Sequence, residues 1–194
     1  MRRSAFVLAV ILFIMQAAML ASATDYPLDI FGNANMDDII DEDDIEYVQA
    51  IINGTNEASR LADANYDGAI DISDINQIER IISGNETELT FIDSLNRNVT
   101  IKKPITRIVA LGSFNPEAIR ILKATDKLVG IDSDISEMKE FYPDISKLPT
   151  VGKWNDPDIE KIINLNPDIV LTYGTTPSTE VEDKLKTANI QMVR

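Results

Sequence analysis

Asp158-Ile-Glu-Lys-Ile-Ile-Asn-Leu-Asn-Pro-Asp-Ile-Val-Leu171 decides the fold. Ile159, Ile162 and Ile163 recur at helical spacing, Asn166-Pro167 stops the helix, and Ile169 to Thr172 reads as a buried strand. Asp156-Pro157 supplies the start of that helix, with an acidic cap and a proline whose missing N–H costs nothing in the first turn. The same alternation extends outward on both sides. Upstream, Arg107 to Leu111 reads as a strand, Asn115-Pro116 opens a helix with Ile119 and Leu122 facing inward, and Leu128 to Ile131 is a second strand. Downstream, Thr179 to Ala188 is helical and Ile190 to Val193 is the fourth strand. Strands alternating with helices imply a mainly parallel sheet covered on both faces. Leu89 to Asp93 and Val99 to Ile101 flank Asn96-Arg97 and precede the alternation as a small hairpin.

Ligands of such sheets sit beyond the carboxyl ends of the strands. Those ends carry Ser113 and Asn115 after the first strand, Lys153 and Trp154 after the second and its long connection, and Tyr173 and Thr175 after the third. These six are the candidate ligand-binding residues. Asn115 also suits a plain helix cap. Trp154, set between polar residues, pairs an apolar face with an indole donor.

The chain before Leu89 is of another kind. Residues 24–90 hold 17 acidic and 2 basic side chains, a net of −15, whereas residues 91–194 hold 15 and 14, a net of −1, so the chain's −14 is set by the first segment. Such a segment repels itself unless cations neutralise it, and it excludes nucleic acid as a partner. Within it a 12-residue pattern occurs twice, thirty residues apart. One copy has Asn33, Asn35, Asp37, Asp41 and Asp44 at positions 1, 3, 5, 9 and 12; the other has Asp63, Asn65, Asp67, Asp71 and Asp74. Position 7, Ile39 or Ala69, would offer its carbonyl. A hard cation such as calcium takes 6–8 or so oxygen ligands, and this alternation aims successive oxygens at one centre. Two Ca2+ sites are therefore expected. The first should be weaker, because Asn33 supplies no charge and Asp38 stands where the second copy has Gly68 at the sharp turn. A short amphipathic helix follows each loop, from about Asp44 to Asn53-Gly54 and from about Asp74 to Ser83-Gly84.

At the start, Arg2-Arg3, the apolar stretch Ala5 to Met15 and the small residues Ala21-Ser22-Ala23 follow the order of a secretory signal peptide. Cleavage after Ala23 places the protein outside the cytoplasmic membrane, secreted, at the cell surface or periplasmic; an uncleaved anchor is the alternative. The sequence has no Cys and no His, which removes disulfides, the thiol nucleophile and the commonest general base. Without a Ser-centred elbow or a phosphate loop either, an enzyme is not expected. Three Asn-x-Ser/Thr triplets begin at Asn53, Asn85 and Asn98 and are candidate glycan acceptors. The expected organisation is a signal peptide (1–23), an acidic all-α unit of two loop-helix repeats (24–88), and an α/β lobe (89–194).

The two acidic repeats, with Asp rather than Glu at position 12 and no helix before either loop, resemble the dockerin domain. That resemblance implies docking through the helices onto a cohesin-like module. The second unit, through Arg107-Ile-Val-Ala-Leu-Gly-Ser113, Leu148-Pro-Thr-Val-Gly152 and the stretch from Asp158 to Leu171, is similar to the substrate-binding proteins of iron-siderophore, haem and cobalamin importers. The resemblance implies one lobe of a two-lobed fold that holds a metal chelate or corrinoid in a cleft and delivers it to an ABC permease in the membrane. The chain stops at Arg194, after the fourth strand, so the second lobe is expected to be missing and capture by this lobe alone to be weak. The rival expectation is an attachment protein in which the acidic unit is the function.

Overall fold

The structure, a computed structural model, describes residues 27–194. The signal-peptide reading of residues 1–23 falls outside them. Among the described residues no helix is long and apolar enough to cross a membrane.

Two short helices carry the acidic repeats, α1 (Glu42–Ile52) and α2 (Ile72–Ser83). Both start two residues before the position that spacing alone predicts. Asp41 and Asp71 are the reason: each accepts the N–H two residues on, from Asp43 or Ser73. Asp44 and Asp74 reach back to the capping residues' own N–H at 2.9 and 2.8 Å. Each such reciprocal cap is worth about 1 kcal/mol. The helices pack through Val48, Ile75 and Ile78 onto Ala34, Ala62 and Ala64, a core of mostly small side chains.

β1 (Glu88–Ile92) and β2 (Asn98–Lys102) form the hairpin, antiparallel, with Leu89 opposite Ile101 and Asn96 left-handed in the turn. The other edge of β1 is also covered. Ile30 bridges Phe91, Phe31 N–H donates to the Thr90 carbonyl at 2.9 Å, and Ile92 N–H donates to that of Asp29 at 2.8 Å. The acidic unit thus lends the hairpin a short third strand.

The α/β unit runs β3 (Ile108–Ala110), α3 (Phe114–Ile121), β4 (Leu128–Ile131), α4 (Ser133–Glu137), β5 (Gly152–Lys153), β6 (Asp156–Pro157), α5 (Ile159–Leu165), β7 (Ile169–Leu171), α6 (Thr179–Thr187) and β8 (Gln191–Val193). β3, β4, β7 and β8 make one parallel sheet in the order β4-β3-β7-β8. Side chains alternate between its faces as the pleat dictates. Ile108, Ala110 and Ile169 pack with Ile119, Ile135 and Tyr142 on one side. Val109, Leu111 and Val170 pack with Ile162, Leu185 and Met192 on the other.

Two expectations need correcting. Asp156-Pro157 does not begin α5 but pairs with Gly152-Lys153, and the cap is Asp158, whose carboxylate accepts Lys161 N–H at 3.1 Å. Leu122 is exposed rather than inward, because α3 ends at Ile121 and turns away before its next apolar position is reached.

The hairpin is fastened to the lobe by charge. Asp93, buried, accepts from the Leu95 and Arg97 N–H groups and from Arg97 Nε at 3.0 Å, while Arg97 also reaches Glu182 of α6 at 2.8 Å. Burial pushes the Asp93 carboxyl up, but the Arg97 guanidinium and the N–H donors outweigh it and hold it below the usual 3.8. A depressed carboxyl stabilises the fold above its unfolded pKa, and that share is lost as pH falls through the folded value. Asp93→Asn should therefore lower stability by about 2 kcal/mol at pH 7. The gap from wild type should close as melting is followed to acid pH. A gap independent of pH would refute the charge assignment.

Candidate functional site

β3 sits between β4 and β7, so the chain leaves β3 to one side and returns to the other, which makes the carboxyl ends of β3 and β7 the switch point of the sheet. Here Gly112 follows β3 with a φ of +84°, and Tyr173 lies directly over it. A Cβ on Gly112 would stand 2.4 Å from Tyr173 Cε1, so only glycine allows this approach. Trp154 stacks on Tyr173 with ring centroids 5.7 Å apart and planes 8° from parallel. Phe114 meets the Tyr173 ring edge-on at 5.8 Å. Phe114 is 73% and Tyr173 40% exposed, while Trp154 is half-buried against the second core cluster. Three rings thus form a continuous apolar surface open to solvent.

Asp132 holds the loop beneath it. This carboxylate is fully buried at the end of β4 and accepts Gly112 N–H at 2.6 Å as well as the N–H groups of Asp134 and Ile135. Burial raises its pKa, and the three N–H donors act against that rise. Tyr142 adds a bond from its hydroxyl to the Ser113 carbonyl at 3.0 Å. On the other side, Arg194 donates to the Gly174 and Pro177 carbonyls at 3.0 and 2.7 Å and so fixes the loop bearing Tyr173.

Of the six candidates, Trp154 and Tyr173 are brought together. Ser113, Lys153 and Thr175 are exposed on the same three loops. Asn115 neither caps α3 nor faces the surface; its amide donates to the Leu111 carbonyl at 2.7 Å, and α3 already begins at Phe114. Phe114 stands in the same run as Ser113 and Asn115 but is not among the six, and sequence reasoning passed over Asp132. An Asp between a strand and Ser-Asp is a cap signal, and that was the one trace of Asp132. A hollow of about 290 Å3 lies at the amino ends of β7 and β8, lined by Thr100, Lys102, Asp168, Lys186 and Gln191 among others. It carries no aromatic ring, unlike the surface at the switch point.

The acidic loops are built alike. Asn35 and Asn65 N–H groups donate to Asp44 and Asp74, both at 3.1 Å; Asn35 and Asn65 amides donate to Asp37 and Asp67, both at 2.8 Å. Position 1 separates them. Asp63 accepts both Asp67 and Gly68 N–H, whereas Asn33 has one oxygen, used for Asp37 N–H, and turns its amide to the Leu28 and Asp37 carbonyls. Asp38 is not left-handed, whereas Gly68 of the second copy has a φ of +93°; both loops place a left-handed residue at position 4, Met36 and Tyr66. Asp41 and Asp71 serve as helix caps.

Among the described residues no three carboxylates are gathered closely enough to hold a metal ion. Burial raises the Asp74 carboxyl, the Asp71 and Asn65 N–H donors act against that rise, and the charges of Asp63 and Asp67 add to it. The donor chemistry of the second loop still fits a hard dication. It offers oxygen only, with four carboxylates, and no ion pair among the described residues includes any of them. The first loop fits less well, with three carboxylates and the buried Asn33 already committed to Leu28 and Asp37.

No family model matches the chain. Over 107 residues, 54% of its length, it is 35% identical to an uncharacterized ABC transporter substrate-binding lipoprotein of Bacillus subtilis, covering 32% of that protein. It is 31% identical to the vitamin B12-binding protein of Vibrio vulnificus over 41% of its length and 28% of that protein. Among solved structures, the molybdate periplasmic binding protein of Haemophilus influenzae is similar at 28% identity and a TM-score of 0.49, over 54% of this chain and 33% of that one. The first of these relatives is thus a substrate-binding protein of an ABC transporter. The chain spans about a third of the length of the curated relatives it matches.

Proposed function

We propose that the α/β unit binds a metal chelate or corrinoid outside the cytoplasmic membrane for delivery to an ABC permease, and that the acidic unit binds calcium. The observation that carries the first part is the exposed aromatic surface of Phe114, Tyr173 and Trp154 at the switch point. Planar rings suit a large, partly apolar, conjugated ligand, which gains stacking and burial there. Likeness to a vitamin B12-binding protein over part of the chain supports this choice of ligand class.

Trp154 is the one tryptophan of the chain, so its fluorescence reads the site directly. Titration with cobalamin or a ferric siderophore should quench it with half-saturation in the high-micromolar range, about −5 kcal/mol, since one wall buries only part of a ligand. Trp154→Ala should weaken binding roughly tenfold by calorimetry, the share of one stacked ring. Unchanged fluorescence up to millimolar ligand would sink the proposal.

A second reading has its own observation, the pair of matching loop-helix repeats. There the acidic unit attaches the protein to a cohesin-like module. Retention of the chain on an immobilised cohesin in calcium, released by chelator, is its test.

A further inference from the structure

The two acidic repeats are alike within themselves but differ in what surrounds them. The first meets the hairpin through the backbone of residues 29–31 just ahead of its loop, whereas the second meets it through side chains. Arg60, just ahead of the loop, donates to Asn96 Oδ1 at 2.9 Å. Tyr66, at loop position 4, accepts at its hydroxyl from the Asn98 amide at 2.8 Å and meets Phe31 edge-on at 4.9 Å. Gln77, in the helix that leaves the loop, donates to the Glu88 carbonyl at 2.9 Å. The counterpart of Tyr66 in the first repeat is Met36, which is about as exposed, 40% against 45%, but has no hydroxyl to offer. The hairpin in turn is held to the lobe by Arg97 on Glu182 and by Ser94 N–H on the Arg194 carbonyl at 3.0 Å.

We propose that a divalent cation in the second loop locks the acidic unit onto the lobe through Tyr66. The inference rests on the calcium reading above. Tyr66 lies between Asn65 and Asp67, two of the candidate ligands, and holds a φ of +58° that a tyrosine rarely adopts. The position of its ring is therefore set by the closed loop. The loop carboxylates oppose closure until their charge is neutralised, and a cation does that. Once the loop closes, the phenol is presented to Asn98 and the ring to Phe31. Linkage is reciprocal: if the cation strengthens this contact, the contact must strengthen cation binding by the same factor. Asn98 lies outside both loops, yet it should alter affinity at the second one.

The test uses calcium and the whole chain, with calorimetry for binding and Trp154 fluorescence for melting of the lobe. In wild type, calcium should raise the Trp154 melting temperature by about 5 °C. Tyr66→Ala and Asn98→Ala should each still bind calcium, with the tighter site weakened roughly fivefold, and should lose that rise. Their double variant should weaken the site no further than one alone. Met36→Ala, at the same position of the first loop, should behave as wild type. No calcium heat in wild type overturns both the calcium reading and the lock. Calcium heat with an unmoved Trp154 transition, or variants that keep the rise, overturns the lock and leaves the calcium reading standing.

Discussion

In chelator the helical signal of α1 and α2 is expected to be lost, and in calcium to return with two binding events by calorimetry. Residues 24–90 carry 17 acidic against 2 basic side chains, and little in the fold offsets their repulsion. α1 and α2 have 11 and 12 residues, at or below the ~12–15 at which isolated helices become marginal in water. Their shared core has three alanines, one valine and two isoleucines buried, edged by five partly buried apolar side chains, a small core for so charged a unit. A ligand at a thousand times its dissociation constant adds about 4 kcal/mol, enough to turn an unfolded unit into a folded one. Asp63→Ala should abolish the stronger site, because Asp63 is the position-1 carboxylate that gathers the Asp67 and Gly68 N–H groups. Asn33→Asp should strengthen the weaker one. Identical circular dichroism and melting in calcium and in chelator would reject the whole account.

Gly112→Val should be the most damaging single change in the lobe. The residue sits at a φ of +84°, where a β-branched side chain costs about 1–2 kcal/mol. Its Cβ would overlap the Tyr173 ring, at 2.4 Å from Cε1, and overpacking of that kind costs about 1–3 kcal/mol more. Stability should fall by about 2–5 kcal/mol in all. Tyr173 has one direction of relief, away from Gly112, which breaks its stack on Trp154. A lower melting temperature should therefore come with altered Trp154 emission and loss of ligand quenching. Gly112→Ala should give the same signs in milder form. A Gly112→Val chain with wild-type emission and melting would show that the close approach has no such role.

The strands of the sheet were legible because both faces of a parallel sheet are buried, and apolar triplets such as Ile108-Val109-Ala110 and Ile169-Val170-Leu171 stand out between polar helices. The repeats were legible because oxygen ligands must alternate. What escaped was tertiary. That Asp158 and not Asp156 caps α5 depends on Gly152 pairing with Pro157. That Asn115 turns inward depends on the Leu111 carbonyl left free at the end of β3. Trp154 and Tyr173 stood out by residue type, but their stacking needs two loops to converge across the switch point. Asp132 was the least legible, since its partner Gly112 lies twenty residues away. Nor does the composition of Asp29-Ile30-Phe31 mark it as a strand; its pairing is supplied wholly by β1.

That last pairing changes where the protein divides. By composition the seam falls at Leu89, yet β1 is hydrogen-bonded on both edges, to β2 and to residues 29–31. A lobe excised at residue 89 would lose the first residue of β1 and lay bare the edge that Ile30 now covers. Unpaired strand edges recruit other strands, so such a piece would be prone to self-association, and its aggregation would say nothing about the sheet beneath. The hairpin belongs to both halves. The two units are stitched rather than strung together, and exchanging either would mean remaking the pairing on one edge of β1.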